Sequence, residues 1–228
     1  MSPVLESPAT RPPAPADPLP PHLRGWLHLV CFVLSFPAGA LVIAAAGSTS
    51  GRLASTVYAA GMAAMFGVSA LYHRRRWSPA GRRRIRRLDH GTIFVMIAGS
   101  YTPLCVLALR GTTGTAILLA VWVGAVAGFV LALTGVAERA VIGLICYIGL
   151  GWGIVVALPE LTRQLSAGQL GLLVLGGVVY TLGGVVLGTH RPNPSPVWFG
   201  YHEIWHGMVA IASVCHYVTI LSIVRGWS

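Results

Sequence analysis

The sequence predicts an all-α integral membrane protein, a bundle of seven transmembrane helices with its N-terminus cytoplasmic and its C-terminus outside. Three observations predict it. The 228 residues are 55% hydrophobic and only 10% charged, whereas soluble domains carry about 25% charged residues. Mean hydropathy is +0.72, more apolar surface than one soluble core of this size can hide. Seven separate runs approach the ~20 apolar residues that a helix needs to cross a bilayer.

Taken in order, residues 1–21 hold eight of the fifteen prolines and no aliphatic periodicity. They read as a disordered cytoplasmic tail, without the basic-then-apolar layout of a cleaved signal peptide. Residues 22–228 form the membrane domain, with apolar runs at 25–46, 53–73, 86–109, 115–134, 140–158, 168–188 and 201–224. The breaks between runs carry turn chemistry. They are GSTSG at 47–51, an arginine-rich loop at 74–87, RGTTG at 110–114, the Glu138–Arg139 pair, Pro159 to Ala167, and THRPNPSPVWFG at 189–200.

Orientation follows from charge. All sixteen basic residues are arginine, against six acidic ones, a net charge of +10. With the N-terminus inside, twelve arginines lie on cytoplasmic segments (Arg11, Arg24, Arg139, Arg191 and eight in 74–87) and four outside (Arg52, Arg110, Arg163, Arg225). That is the positive-inside pattern. The arginine-rich loop is expected to meet anionic lipid headgroups. No nucleic-acid partner is expected, because a short loop between two spans has little reach.

Cys31, Cys105, Cys146 and Cys215 all fall in apolar runs without a CxxC, and read as small buried hydrophobes. Gly124xxxGly128, Gly149xxxGly153 and Gly184xxxGly188 lie within spans and read as close helix packing inside the bundle. Oligomeric state is not legible.

The chemistry is carried by polar residues in apolar spans. An ionised carboxylate near the bilayer centre costs about 2.5–3.5 kcal/mol on insertion scales, yet Asp89 and Glu203 both fall in spans. Ser69 and His73 are four apart, as are His202 and His206, so each pair shares a helix face. The topology brings Ser69, His73, Asp89, His202 and His206 within about two turns of the cytoplasmic boundary. Three histidines, one from the second run and two from the seventh, suit zinc, bound by imidazole at about 2.0–2.1 Å with a position left open in catalytic sites. Ser69 and Asp89 would hydrogen-bond the water on the metal or a ligand's ring N–H, and the dication would stabilise the Asp89 carboxylate. His202 to His206 also matches the HExxH string of soluble zinc proteases. Glu203, however, stands about 100° around the helix from His202, and reads either as a base of that type or as an acid at a helix N-terminus. His90, His190 and His216 read as interhelical hydrogen-bond partners.

SALYH at 69–73, RRLDHGTIFVMIAGSYTP at 86–103 and HEIWHGMVAIASVCHY at 202–217 together resemble the hemolysin III family, the bacterial branch of the progestin and adiponectin receptor (PAQR) proteins. The resemblance covers about residues 22–225. It implies a zinc near the cytoplasmic side, held by His73, His202 and His206, with Asp89 on the zinc-bound water and Ser69 beside it. The family's metal pattern resembles that of alkaline ceramidases, which implies lipid amide hydrolysis. Its bacterial members imply a role in membrane lipid homeostasis, and its name implies cytolysis.

Three functions compete. The first is a zinc-dependent intramembrane hydrolase acting on a lipid amide or ester, with Asp89 accepting a proton and Ser69 orienting water or steadying the oxyanion. The second is a membrane sensor or receptor in which zinc is structural, which a closed four-ligand site would favour. The third is a pore-forming cytolysin, which would need a continuous polar lumen.

Overall fold

The computed structural model describes residues 21–109, 111–136 and 140–226. The proline-rich tail at 1–20 and the Glu138–Arg139 pair lie outside the described residues. Seven helical segments are long and apolar enough to span a membrane, and among the described residues the secondary structure is helical, with one isolated β-bridge between Ser195 and Phe199.

Helix α1 (Trp26–Ala44) is followed by α2 (Thr49–Arg74), which starts earlier than the apolar run because Ser48 caps it, its Oγ accepting the Gly51 N–H at 3.1 Å. Helix α3 (Pro79–Pro103) corrects the expected loop at 74–87. Ser78 is its N-cap and Pro79 opens its first turn, so Arg82 to Arg87 are helical. The apolar run starts at residue 86, whereas the Ser78 cap starts the helix at Pro79. After Pro103 the same span continues as a π-helical segment, Leu104–Ala108.

Helix α4 (Thr112–Thr134) precedes a broken fifth span. That span is α5 (Ala140–Trp152), a 3₁₀ stretch (Gly153–Ala157) and α6 (Leu158–Gln164). It therefore extends past the break expected at Pro159, which sits in the first turn of α6, where its missing N–H costs nothing. The irregular backbone is satisfied from α3. The Tyr101 hydroxyl faces the Leu150 and Gly151 carbonyls at 3.0 and 2.7 Å and accepts the Ile154 N–H at 2.7 Å. A capping box between Ser166 and Gln169 starts α7 (Ala167–Thr189), and α8 (Tyr201–Gly226) completes the bundle.

The most buried span is α3, which packs against α2, α4, α5 and α8. Its register with the antiparallel α2 is set by two glycines. A Cβ at Gly61 would stand 3.4 Å from the Val95 carbonyl oxygen, and one at Gly99 3.5 Å from that of Val57. The two backbones therefore touch, and the same register continued one heptad further brings Ser69 level with Asp89.

The other glycine pairs behave differently from one another. Gly124 and Gly128 pack against Leu150 and Phe94, and Gly184 and Gly188 against Leu144. A Cβ at Gly149 would meet nothing within 4 Å and one at Gly153 would meet the Tyr101 hydroxyl at 3.6 Å, so that pair does not act as one packing face. All four cysteines are free, with Cys105 and Cys215 buried.

Candidate metal centre

One end of the bundle gathers the start of α1, the end of α2, the starts of α3 and α8 and the ends of α4 and α7. The chain before α1 pairs with the α7–α8 loop, His22 N–H on the Val197 carbonyl at 2.9 Å. Arg87 of α3 donates to the Leu133 carbonyl of α4 at 3.1 Å.

At this end stand His73, in the last turn of α2, and His202 and His206, on the first two turns of α8. One ring nitrogen from each lies within 4.8 Å of the others, and among the described residues this is the one such group of three or more metal-ligand side chains. The Nε2 atoms of His73 and His202 are 3.3 Å apart. Two ligands at 2.0–2.1 Å on a tetrahedral ion lie about 3.3 Å from each other, so this edge already has zinc-site dimensions. Imidazole donors, partial burial and a three-ligand set suit zinc with an open position.

Ser69 and Asp89 stand beside the histidines. Ser69 is buried, one turn before His73, and lines the same cavity as Asp89. Its Oγ also lies 2.8 Å from Nδ1 of His28. The hydroxyl has one proton, so with His28 donating to Ser69 that proton is left to the Asp89 side of the cavity.

His28, on α1, is the functional candidate that sequence reasoning missed. It is 4% exposed and its ring stacks on that of His206, with centroids 3.7 Å apart and planes 6° from parallel. The signal was present, a histidine near the same end of an apolar run, but without a partner four residues away it formed no helix-face pair.

Glu203 is 4% exposed, and both of its carboxylate oxygens are engaged. One accepts the Gly200 N–H at 2.8 Å and the other is ion-paired with Arg24. It lies in the first turn of α8, where the helix dipole favours an acid. The three histidines expected as interhelical partners divide. His216 Nε2 lies 3.3 Å from the Leu173 carbonyl of α7, an interhelical contact. His190 departs from the expectation: it is the exposed left-handed C-cap of α7 and packs on Tyr201. Its position just past Thr189 puts it outside any span. His90 lines the cavity beside Asp89, and the Tyr147 hydroxyl donates to its carbonyl at 3.2 Å.

A cavity of about 270 Å³ opens from this centre, lined there by His28, Ser69, Asp89, His202 and His206. It runs between α5 and α7 past Trp152, Tyr180 and His216. A further void of about 70 Å³ shares Trp152 and His216 with it and reaches Ile220. From His202 to Ile220 along α8 is about 27 Å at 1.5 Å per residue, close to the hydrocarbon thickness of a bilayer.

Comparison with known proteins agrees with this architecture. A family model described as haemolysin-III related matches residues 19–217. The chain is 30% identical over 197 residues to Hemolysin-3 of Bacillus cereus, covering 85% of this chain and 87% of that one. It is also 30% identical over 197 residues to a Hemolysin-3 homolog of Bacillus subtilis (strain 168), covering 85% and 89%. A more distant relative is the human monocyte to macrophage differentiation factor, 27% identical over 175 residues, covering 74% of this chain and 69% of that protein.

Proposed function

The chain belongs to the haemolysin-III related family and is a multi-pass integral membrane protein of the bacterial plasma membrane, and from that premise we propose that it is a zinc-dependent intramembrane hydrolase of a lipid amide or ester bond. The observation that carries this reading is the joining of two features. A three-histidine cluster with an acid and a hydroxyl beside it sits at the mouth of a cavity whose walls are mostly aliphatic and aromatic. A closed structural zinc site would need a fourth protein ligand, and among the described residues the cluster has three.

His73, His202 and His206 would hold the ion. When bound, zinc supplies Lewis acidity, polarising a carbonyl and bringing the pKa of a water to about 7. The chain's own residues do the rest. Water adds to the acyl carbon and the C–N or C–O bond breaks. Asp89 takes the water's proton and returns it to the departing nitrogen or oxygen. Ser69 donates to Asp89 and so fixes the direction in which that carboxylate accepts. The cavity between α5 and α7 takes the acyl chain and keeps bulk water from it.

The same reading puts the N-terminus and the arginine-rich end in the cytoplasm. There Arg75, Arg76, Arg83 and Arg84 are exposed and meet anionic headgroups. Neutralising Arg75 and Arg76 is expected to lower activity on vesicles rich in anionic lipid and to leave activity on zwitterionic vesicles unchanged. Equal activity on both would dispose of the headgroup contact.

The test of the hydrolase reading is release of free fatty acid from N-acyl and ester lipids by zinc-loaded protein in nanodiscs, with Asp89→Asn alongside. Wild type is expected to release fatty acid from at least one of the two classes, and Asp89→Asn to fall at least 100-fold. Loaded protein that releases none from either class, or an Asp89→Asn variant as active as wild type, contradicts the proposal.

A further inference from the structure

The segment before and at the start of α1 touches almost every part of the metal centre. Arg24 pairs with Glu203, which neighbours His202. Gly25 has φ +79°, and a Cβ there would stand 2.6 Å from Cβ of His73. His28 stacks on His206 and bonds Ser69. Three residues within five positions thus address His73, Ser69, His206 and, through Glu203, the turn that carries His202. None of the three is itself in the cluster of ligand atoms.

We propose that His28 is a positioning residue of the metal centre, holding the plane of the His206 ring by parallel stacking while its Nδ1 holds the Ser69 hydroxyl. The inference rests on the metal reading above and deepens it. An imidazole binds a metal through a lone pair in the ring plane, so the ring must be held against rotation about its χ2 bond, a soft torsion. Metal-bound histidines are ordinarily oriented by a hydrogen bond from the other ring nitrogen. Here a second imidazole lies flat against His206 at 3.7 Å, and Phe66 meets the far partner, His28, edge-on with centroids 5.2 Å apart. The order of contact is Phe66, His28, His206. The stack therefore ties α1, α2 and α8 together at the ligand, and His28 links the same stack to Ser69 on α2.

Two substitutions of similar bulk separate the two contacts. His28→Phe keeps a flat ring against His206 and loses the bond to Ser69. His28→Gln keeps a hydrogen-bonding group and loses the stack. The probes are zinc alone, by competition with a chromophoric chelator, and cobalt alone, by the visible d–d bands of the substituted full-length protein. For His28→Gln, zinc affinity is expected to fall 10- to 100-fold, the usual cost of losing a group that orients a ligand, and the cobalt bands to shift. For His28→Phe, affinity is expected within about threefold of wild type with the bands in place, in line with a ring orientation kept by the stack.

Wild-type affinity and an unchanged cobalt spectrum in His28→Gln would overturn the positioning role while leaving the metal site standing. Equal weakening in both variants would overturn the stack as its cause. Wild-type protein that takes up neither metal would overturn the metal reading together with this one.

Discussion

The α2–α3 seam and the middle of the α5–α7 seam use glycine in opposite ways. At the first, Gly61 and Gly99 let two backbones touch, with a Cβ at either site only 3.4 to 3.5 Å from the opposite carbonyl oxygen. That contact fixes a register, and the register sets Ser69 beside Asp89 one turn from His73. At the second, Gly184 packs on Leu144 near one end, but in the middle a Cβ at Gly151 would meet nothing within 4 Å, and there the helices part around a cavity of about 270 Å³. Half of the bundle is therefore built to hold chemical groups still, and the other half to leave room. The contrast teaches that a glycine-rich span is not in itself a packing signal. What matters is whether backbone or space faces the missing side chain.

Each half makes its own prediction. The largest effect is expected on the rigid half at Arg24→Ala, which leaves the buried Glu203 carboxylate without its cation. Removing one partner of a buried pair costs about 3–5 kcal/mol, reduced here because Arg24 is 20% exposed. Unfolding in mixed micelles should show the loss, with much of it recovered in Arg24→Ala/Glu203→Gln. An Arg24→Ala protein as stable as wild type would mean that the pair does not hold the start of α8.

Gly61→Leu comes next. It drives a side chain into the Val95 backbone and should cost about 1–3 kcal/mol by over-packing, with zinc affinity falling as the α2–α3 register opens. The counterpart on the open half is Gly151→Leu. Stability there should change by less than about 1 kcal/mol, helix propensity favouring the larger residue. The leucine occupies the cavity, so hydrolysis of long-chain lipids should drop while zinc content holds. If Gly61→Leu were tolerated and Gly151→Leu unfolded the protein, the comparison would be reversed.

Much of this was legible in the sequence because the bilayer makes hydropathy a strong signal. Five of the seven spans lie close to the apolar runs that announced them. The departures have local causes. The Ser78 cap and Pro79 start α3 before its first apolar residue, turning the arginine run from loop into helix. The Tyr101 hydroxyl sustains a broken fifth span that runs past 158, where Pro159 suggests an end. At the site, His73, His202 and His206 were legible as pairs and motifs four residues apart. His28 was not, because its partners Ser69 and His206 are 41 and 178 positions away and only the packing of α1 against α2 and α8 brings them together. Glu203 was legible as an anomaly, and its partner Arg24 was counted only as a topology signal.

The central claim is that His73, His202 and His206 form one metal site. Metal analysis of the purified full-length protein beside a His202→Ala/His206→Ala variant, matched for yield and monodispersity, tests it most directly. The account predicts about one zinc per wild-type chain, in line with a single three-histidine site, and its loss from the variant. Equal zinc in the two proteins, or none in wild type after growth with zinc, would contradict it.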